Sequence, residues 1–495
     1  MSEECRQCVA GEEGMTRVRW IGEVVIFALL GMMALYAMAP FHSKVVVLIV
    51  LVAPLLVFFV FPAAIRGAWI NASSLMQSFT WWHWLALLAL LGSLDYRMKA
   101  YDVADIAANP IDTSVKIRLA CDALVALLLA IRLVSGKTEW LRPMFRGIFA
   151  GLTVFVAISL TTTLWSVKSY WSFYKSAEYG LDVALIVAIV TSVKSFNEYK
   201  QLFNWVYALC GALLVLAVTE AVFMPRLGFD YGPLGTLTMP ELTGVFPAQA
   251  PNGLGTYGAI IAIVALCRLL SKSEESSNRG WYQLVLGFGV VTMVMTEARS
   301  AIGAFVVAVI LYLILSRRVI AGVILAASSA FVLIVSGLGS GLLDYMMRGQ
   351  TALQFQQLTG RTELWAVAWQ RIMERPFLGW GAYAGGRFIV LPAVHKTGFA
   401  DVDSTLVETL LDTGIPGLVA LLLVVAAAWY FLFRGFRSER LDNGVRVLAL
   451  ESLLVLAILT MRCMFVSNLT RHPALPFLAT VGFAELIRRR LKEAT

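Results

Sequence analysis

The sequence predicts an all-α polytopic membrane protein of about fourteen transmembrane helices, with one large polar loop before the last three. Three observations predict it. Of 495 residues, 59% are hydrophobic and only 15% are charged, with a mean hydropathy of +0.76. A soluble chain of this length carries far more charge. Apolar runs of roughly 18–25 residues recur along the chain, each long enough to cross a ~30 Å hydrocarbon core. These runs do not alternate apolar with polar residues, which excludes a transmembrane β-barrel.

The runs lie near 19–39, 44–65, 80–95, 117–134, 146–165, 177–194, 203–224, 252–270, 281–297, 300–316, 319–340, 404–433, 444–465 and 472–487. No small-residue cleavage site follows the first, so it reads as a retained span. Lys and Arg in the short loops orient the chain. With both termini cytoplasmic, Arg17 and Arg19, Arg132 to Arg146, Arg268 to Arg279, Arg317 and Arg318, Arg434 to Arg446 and Arg488 to Lys492 share the cytoplasmic side. The opposite loops are poorer in cations, and 96–116 is mostly acidic (Asp102, Asp105, Asp112). The net charge of +8 therefore follows loop topology and is no nucleic-acid signal. The segment 345–403 falls outside, on the periplasmic face of a bacterial inner membrane. Four parts follow: N-terminal membrane helices (1–144), a membrane core (145–343), the large outer loop (344–403) and C-terminal membrane helices (404–495).

Inside the large loop, 361–375 has helical periodicity. Trp365, Ala368, Trp369, Ile372 and Met373 share one face, and Glu363, Gln370, Arg371 and Glu374 the other. Pro376 ends it. The reading is an amphipathic helix along the outer membrane surface, with Arg361 at headgroup depth. A glycine-rich stretch, Phe377 to Tyr383, comes next. The tight outer turn Glu297–Ser300 holds Arg299 between two apolar runs, either a salt-bridged or snorkelling anchor or an anion clamp. Arg226 and Arg348 are further outer-face cations, with Arg348 the more ordinary anchor. Of the four histidines, His395 lies in the long loop and His472 in the last outer turn, while Asp401 and Asp403 form a DxD before a span. Cys5 and Cys8 have no second pair at zinc spacing. No Walker A, HExxH or GxSxG pattern occurs, which argues against an ATP-driven pump and a membrane zinc protease.

Five pieces, in order, carry a resemblance. They are Trp165-Ser166 before a polar aromatic loop; Pro251-Asn252-Gly253-Leu254-Gly255 opening a span; Glu297-Ala298-Arg299-Ser300; Gly360-Arg361 with Trp365 and then Pro376 to Gly381; and Ser404 to Leu418. Together they resemble the O-antigen ligase and polysaccharide polymerase superfamily over residues 145–435. The resemblance implies a GT-C-like glycosyltransferase architecture. It also implies transfer of a glycan from a polyprenyl diphosphate carrier at the periplasmic face, without cofactor or metal. The acceptor would be another lipid-linked glycan (polymerase) or lipid A core (ligase). Arg299 and Arg361 would grip the diphosphate, with Arg226 a third, and Asn252, Trp365 and Asp401 would line the substrate. Partners implied are the lipid-linked donor, an acceptor glycan or glycolipid, membrane lipids and, for a polymerase, a chain-length regulator. Where many relatives have His-Asn, this chain has Asp403-Ser404. The base is then Asp403, slightly preferred, or His395. A flippase for the same lipid-linked sugars is the rival reading. The charges collect at one face rather than at mid-membrane, and no inverted repeat is evident, which favours the transferase.

Overall fold

A computed structural model describes residues 61–77, 80–96, 113–193, 195–230, 240–271, 278–320, 322–324, 327, 361–394, 402–471 and 474–493. The predicted span near 19–39, and most of those near 44–65 and 319–340, lie outside the described residues. So do Arg348, His395, Asp401 and His472.

The described chain is built of helices. α1 (Phe61–Gln77), α2 (Trp81–Ser93) and α3 (Thr113–Val134) come first. α4 (Gly147–Thr161) runs on through a tight turn to Leu164 and is followed by α5 (Ser169–Ser192) and α6 (Phe196–Phe223). α7 (Pro251–Leu270), α8 (Arg279–Met295) and α9 (Arg299–Leu315) precede the long loop, which contains α10 (Arg361–Glu374). α11 (Thr405–Arg437), α12 (Asn443–Arg462) and α13 (Leu475–Glu493) close the chain. Two small hairpins, β1 (Phe229–Asp230) with β2 (Glu241–Leu242) and β3 (Gly244–Val245) with β4 (Ala248–Gln249), fill the loop before α7. The Glu220 carboxylate ties the second to α6 by accepting from the Val245 and Phe246 amides at 2.8 and 3.0 Å.

Local chemistry sets the helix ends. Pro251 opens α7 at a position where no amide hydrogen bond is lost. Ser195 caps α6 by accepting from Glu198 N, and Ser404 caps α11 by accepting from Val407 N. Five described helices are long and apolar enough to cross a membrane: Gly147–Leu164, Phe196–Phe223, Pro251–Leu270, Thr405–Arg437 and Asn443–Arg462. Burial sorts them. The apolar window of α7 is 78% buried and that of α12 is 72%, so these two form the centre; α4 and α11 bury only 33% and stand outside. The large apolar side chains left exposed, such as Val222, Phe223, Ile310, Leu423 and Phe433, suit contact with lipid tails. This is a membrane protein.

Loop contacts sort helix ends onto two faces. On one, Trp165 Nε1 donates to Leu378 O, Tyr383 Oη to Thr470 O and Thr405 N to Cys463 O. On the other, Glu485 accepts from Ile148 N, Arg488 and Arg489. The second face carries most of the cations of the described loops.

α1 starts inside the apolar run near 44–65 and continues beyond it to Gln77, with Gly67 against Trp281 of α8. In α10 the helix and its end before Pro376 are as expected. Leu364, Ala368 and Ile372 are buried and pack α10 onto α11 together with Val390, Val402 and Leu411, while Trp369 and Met373 of the expected apolar face are exposed.

Candidate functional site

The polar loop closes on α11 in two places, and they differ in kind. The first is the glycine-rich stretch. α11 breaks its helical path at Gly414 (φ 69°, ψ −170°), a left-handed geometry that favours glycine. Into this break the loop inserts as backbone against backbone. Trp380 N donates to Leu411 O at 2.9 Å, Gly381 N to Asp412 O at 2.9 Å, and Ile415 N to Pro376 O at 2.8 Å. A Cβ on Gly414 would strike Phe377 O, and one on Gly379 would strike Asp412 O. The buried Asp412 carboxylate then accepts from Tyr383 N at 2.7 Å and Gly385 N at 2.9 Å. Trp165 and Ser166 join the same junction: Trp165 holds Leu378 O, Val167 N donates to Trp380 O at 3.2 Å, and Ser166 Oγ bonds Ser172 Oγ at 2.6 Å. The polar groups named here satisfy one another, so the junction is a structural joint.

The second place is the start of α11. Asp403 stands two residues before the helix with φ 53°, a left-handed backbone that an aspartate tolerates better than most residues. Trp365 fixes it by donating Nε1 to the carbonyl of the preceding Val402 at 2.9 Å. Arg361, at the start of α10, donates Nε and Nη2 to Asp403 Oδ2 at 3.1 and 2.9 Å. Both side chains stay partly open, with 18% and 21% exposed.

Beneath this pair lies Arg462, the last residue of α12 and fully buried. Its Nε donates to Thr256 Oγ1 at 3.1 Å, Nη2 to Asn252 O at 2.6 Å, and Nη1 to Ser300 Oγ. Arg361 repels it and Asp403 attracts it, so the three charges share one field. Ser300 follows Arg299, and Gly255 of α7 packs directly on Ala298 and Thr296. The starts of α7, α9 and α11 thus meet at the end of α12, with Thr405 N bonded to Cys463 O at 2.8 Å. Helix N-termini carry partial positive charge, which adds to that of the arginines. In the turn between α8 and α9, burial pushes the Glu297 carboxyl up to about 7, while Arg299 pulls it the other way.

Of the residues the sequence singles out, Arg361 and Asp403 are in direct contact, and Trp365 bonds the Val402 carbonyl next to Asp403. Asn252 meets Arg462 through its backbone carbonyl, and Arg299 is the residue before Ser300, which Arg462 also bonds. Arg226 is exposed on the short helix Pro225–Gly228, and no contact joins it to Arg361, Asp403 or Arg462 among the described residues. His395 and Asp401 lie outside the described residues. Arg462 is the residue that sequence reasoning missed. Its signal was a charge flanked by apolar residues within a span, Thr460-Met461-Arg462-Cys463-Met464.

Among the described residues the arrangement sets the Arg361–Asp403 pair beside a second, buried arginine, where three helix starts meet the end of α12. Residues 284–422 match a family model described as O-antigen ligase. This segment belongs to the O-antigen ligase and polysaccharide polymerase superfamily. It contains Arg299, Arg361, Trp365 and Asp403, whereas Asn252 and Arg462 reach the site from outside it. No curated protein matches the chain. The match supports a glycosyl-transferring function of the O-antigen ligase and polymerase type in the broad sense.

Proposed function

We propose that this O-antigen ligase-family chain is an inner-membrane glycosyltransferase that polymerises polyprenyl-diphosphate-linked oligosaccharide repeat units at the periplasmic face. The observation that carries the reading is the Arg361–Asp403 pair, partly open and set above the buried Arg462. A departing diphosphate gathers negative charge, and fixed cations in a partly dry site stabilise that charge as it develops. Guanidinium groups suit the task because they stay charged and bind phosphate oxygens with two donors.

The pairing also couples binding to catalysis. Arg361 donates two hydrogen bonds to Asp403. A diphosphate competes for Arg361 and so releases the Asp403 carboxylate to accept a proton. The acceptor hydroxyl then attacks the anomeric carbon of the donor's first sugar, its proton passing to Asp403 as the new C–O bond forms. The bond from that carbon to the diphosphate oxygen breaks on the opposite side, the configuration inverts, and polyprenyl diphosphate leaves. Arg299 joins Arg361 on the diphosphate.

The test is a strain deleted for this chain and complemented with wild type, Arg361→Ala or Asp403→Ala, with protein levels checked by blot and surface polysaccharide resolved by length. A polymerase leaves single repeat units in the deletion, and both variants fail to restore the ladder. Full-length polymer that is never joined to lipid A core would identify a ligase instead. Normal ladders from both variants would overturn the site.

A further inference from the structure

Arg462 is a buried cation with no carboxylate of its own among the described residues. Its three acceptors, Thr256 Oγ1, Ser300 Oγ and the Asn252 carbonyl, are all neutral. The one carboxylate acting on it, Asp403, is already bonded twice by Arg361. Asn252 and Ser300 are each the second residue of a helix, so the guanidinium also lies at the partly positive ends of α7 and α9. Such a cation is unfavourable by itself and becomes favourable when an anion arrives. Of the residues it touches, Asn252 and Ser300 are partly exposed. Ser300 Oγ accepts from Arg462, which leaves its own hydrogen to donate, and that hydrogen meets no acceptor among the described residues. The Asn252 side-chain amide is partly exposed and also without a partner among them.

We infer that Arg462 is a positioning residue for the diphosphate of the lipid-linked donor: it presents the Ser300 hydroxyl and Asn252 amide to the phosphate oxygens and holds a buried positive charge beneath them. This rests on the reading of Arg361 and Asp403 as the reaction centre. Being fully buried, Arg462 acts through these groups and through its field, not by touching the substrate.

The experiment measures binding of farnesyl diphosphate, a short polyprenyl diphosphate, to the purified full-length protein, together with thermal unfolding of each variant. Arg462→Gln weakens binding by about tenfold or more, Arg462→Lys stays within about threefold of wild type, and Ser300→Ala weakens it by about threefold with an unfolding temperature near wild type. Wild-type affinity in Arg462→Gln overturns the inference. So does an Arg462→Lys protein that loses binding and stability to the same extent as the Gln variant, because then only the three-way clamp matters. Should Arg462→Gln fail to fold, Ser300→Ala decides, and unchanged binding there overturns the inference. A wild-type protein that binds no farnesyl diphosphate sinks the proposed function itself, which is a different result from wild-type binding that ignores residue 462.

Discussion

The two central helices, α7 and α12, are fastened by an arginine at each end, and the two ends are not alike. At the end where most loop cations lie, Arg268 of α7 reaches Glu451 of α12, with Nε and Nη2 donating to the two carboxylate oxygens at 2.9 and 2.8 Å, and Nη1 holds Asn204 at 2.7 Å. Both charged side chains are buried, and each cancels the other. At the opposite end Arg462 of α12 reaches back to α7 and finds only neutral oxygens. Both arginines join the same two helices, yet among the described residues only Arg268 is bonded to a carboxylate. The balanced end is a clasp. The other end is the one where the proposed anion would sit.

The comparison breaks most plainly at the partners of the unbalanced end. Arg361→Ala and Asp403→Ala each lower glycan transfer by about 100-fold or more. Their thermal unfolding stays close to wild type, because the pair is partly exposed and the α10–α11 contact is carried mainly by the buried Leu364, Ala368 and Ile372. Next in size is the clasp. Glu451→Ala leaves Arg268 buried without its counter-charge and destabilises the protein by about 3–5 kcal/mol, read by denaturant unfolding in detergent. The double variant Arg268→Met with Glu451→Leu recovers most of that loss. If Arg462→Gln proved as destabilising as Glu451→Ala, the two ends would be alike and the distinction would fail.

The joint between loop and helix comes third. Asp412→Ala strips the acceptors from the Tyr383 and Gly385 amides and costs on the order of 2–4 kcal/mol. Limited proteolysis near residues 376–385 then rises in step with the loss.

The smallest effect sharpens the electrostatic side. With a pKa of about 7, Glu297 is largely neutral on the acid side and anionic above it. As the pH rises from about 6 to 8, the new carboxylate offsets Arg299 and weakens farnesyl diphosphate binding by about twofold more than in Glu297→Gln. Parallel pH curves for wild type and Glu297→Gln would remove Glu297 from the site.

What was legible in the sequence follows from the range of the forces involved. The helix over 361–375 and its stop at Pro376 are local properties, and the structure has α10 at Arg361–Glu374. The break at Gly414 falls where glycine and proline, which punctuate any helix, cluster in the sequence. Which residues of α10 pack into the protein was not readable, since Leu364 and Trp365 are adjacent and only contact with α11 chooses between them. α1 was legible only at its start, inside the run near 44–65; beyond it polar and apolar residues are interleaved, and Gly67 meets Trp281 from far along the chain. In the site, the candidates Arg361 and Asp403 were identifiable singly, but their bond spans 42 positions. Arg462 bonds Thr256 across 206 positions, and its place at a span end resembles any snorkelling anchor. Trp365, expected to line the substrate, has its ring nitrogen on the Val402 carbonyl beside Asp403, a contact 37 positions away.

The joint at Gly414 has a consequence for swapping parts between relatives. Gly379 and Gly414 each stand where a side chain would strike the backbone of the other's segment, so neither segment fits a foreign counterpart by its own shape alone. The stretch from the start of α10 to Gly417 therefore behaves as one cassette, with the loop and the helix that receives it inherited together. A chimaera cut between residues 385 and 405 would separate lock from key, whereas one cut before Arg361 and after Gly417 would carry a working pair into its new host.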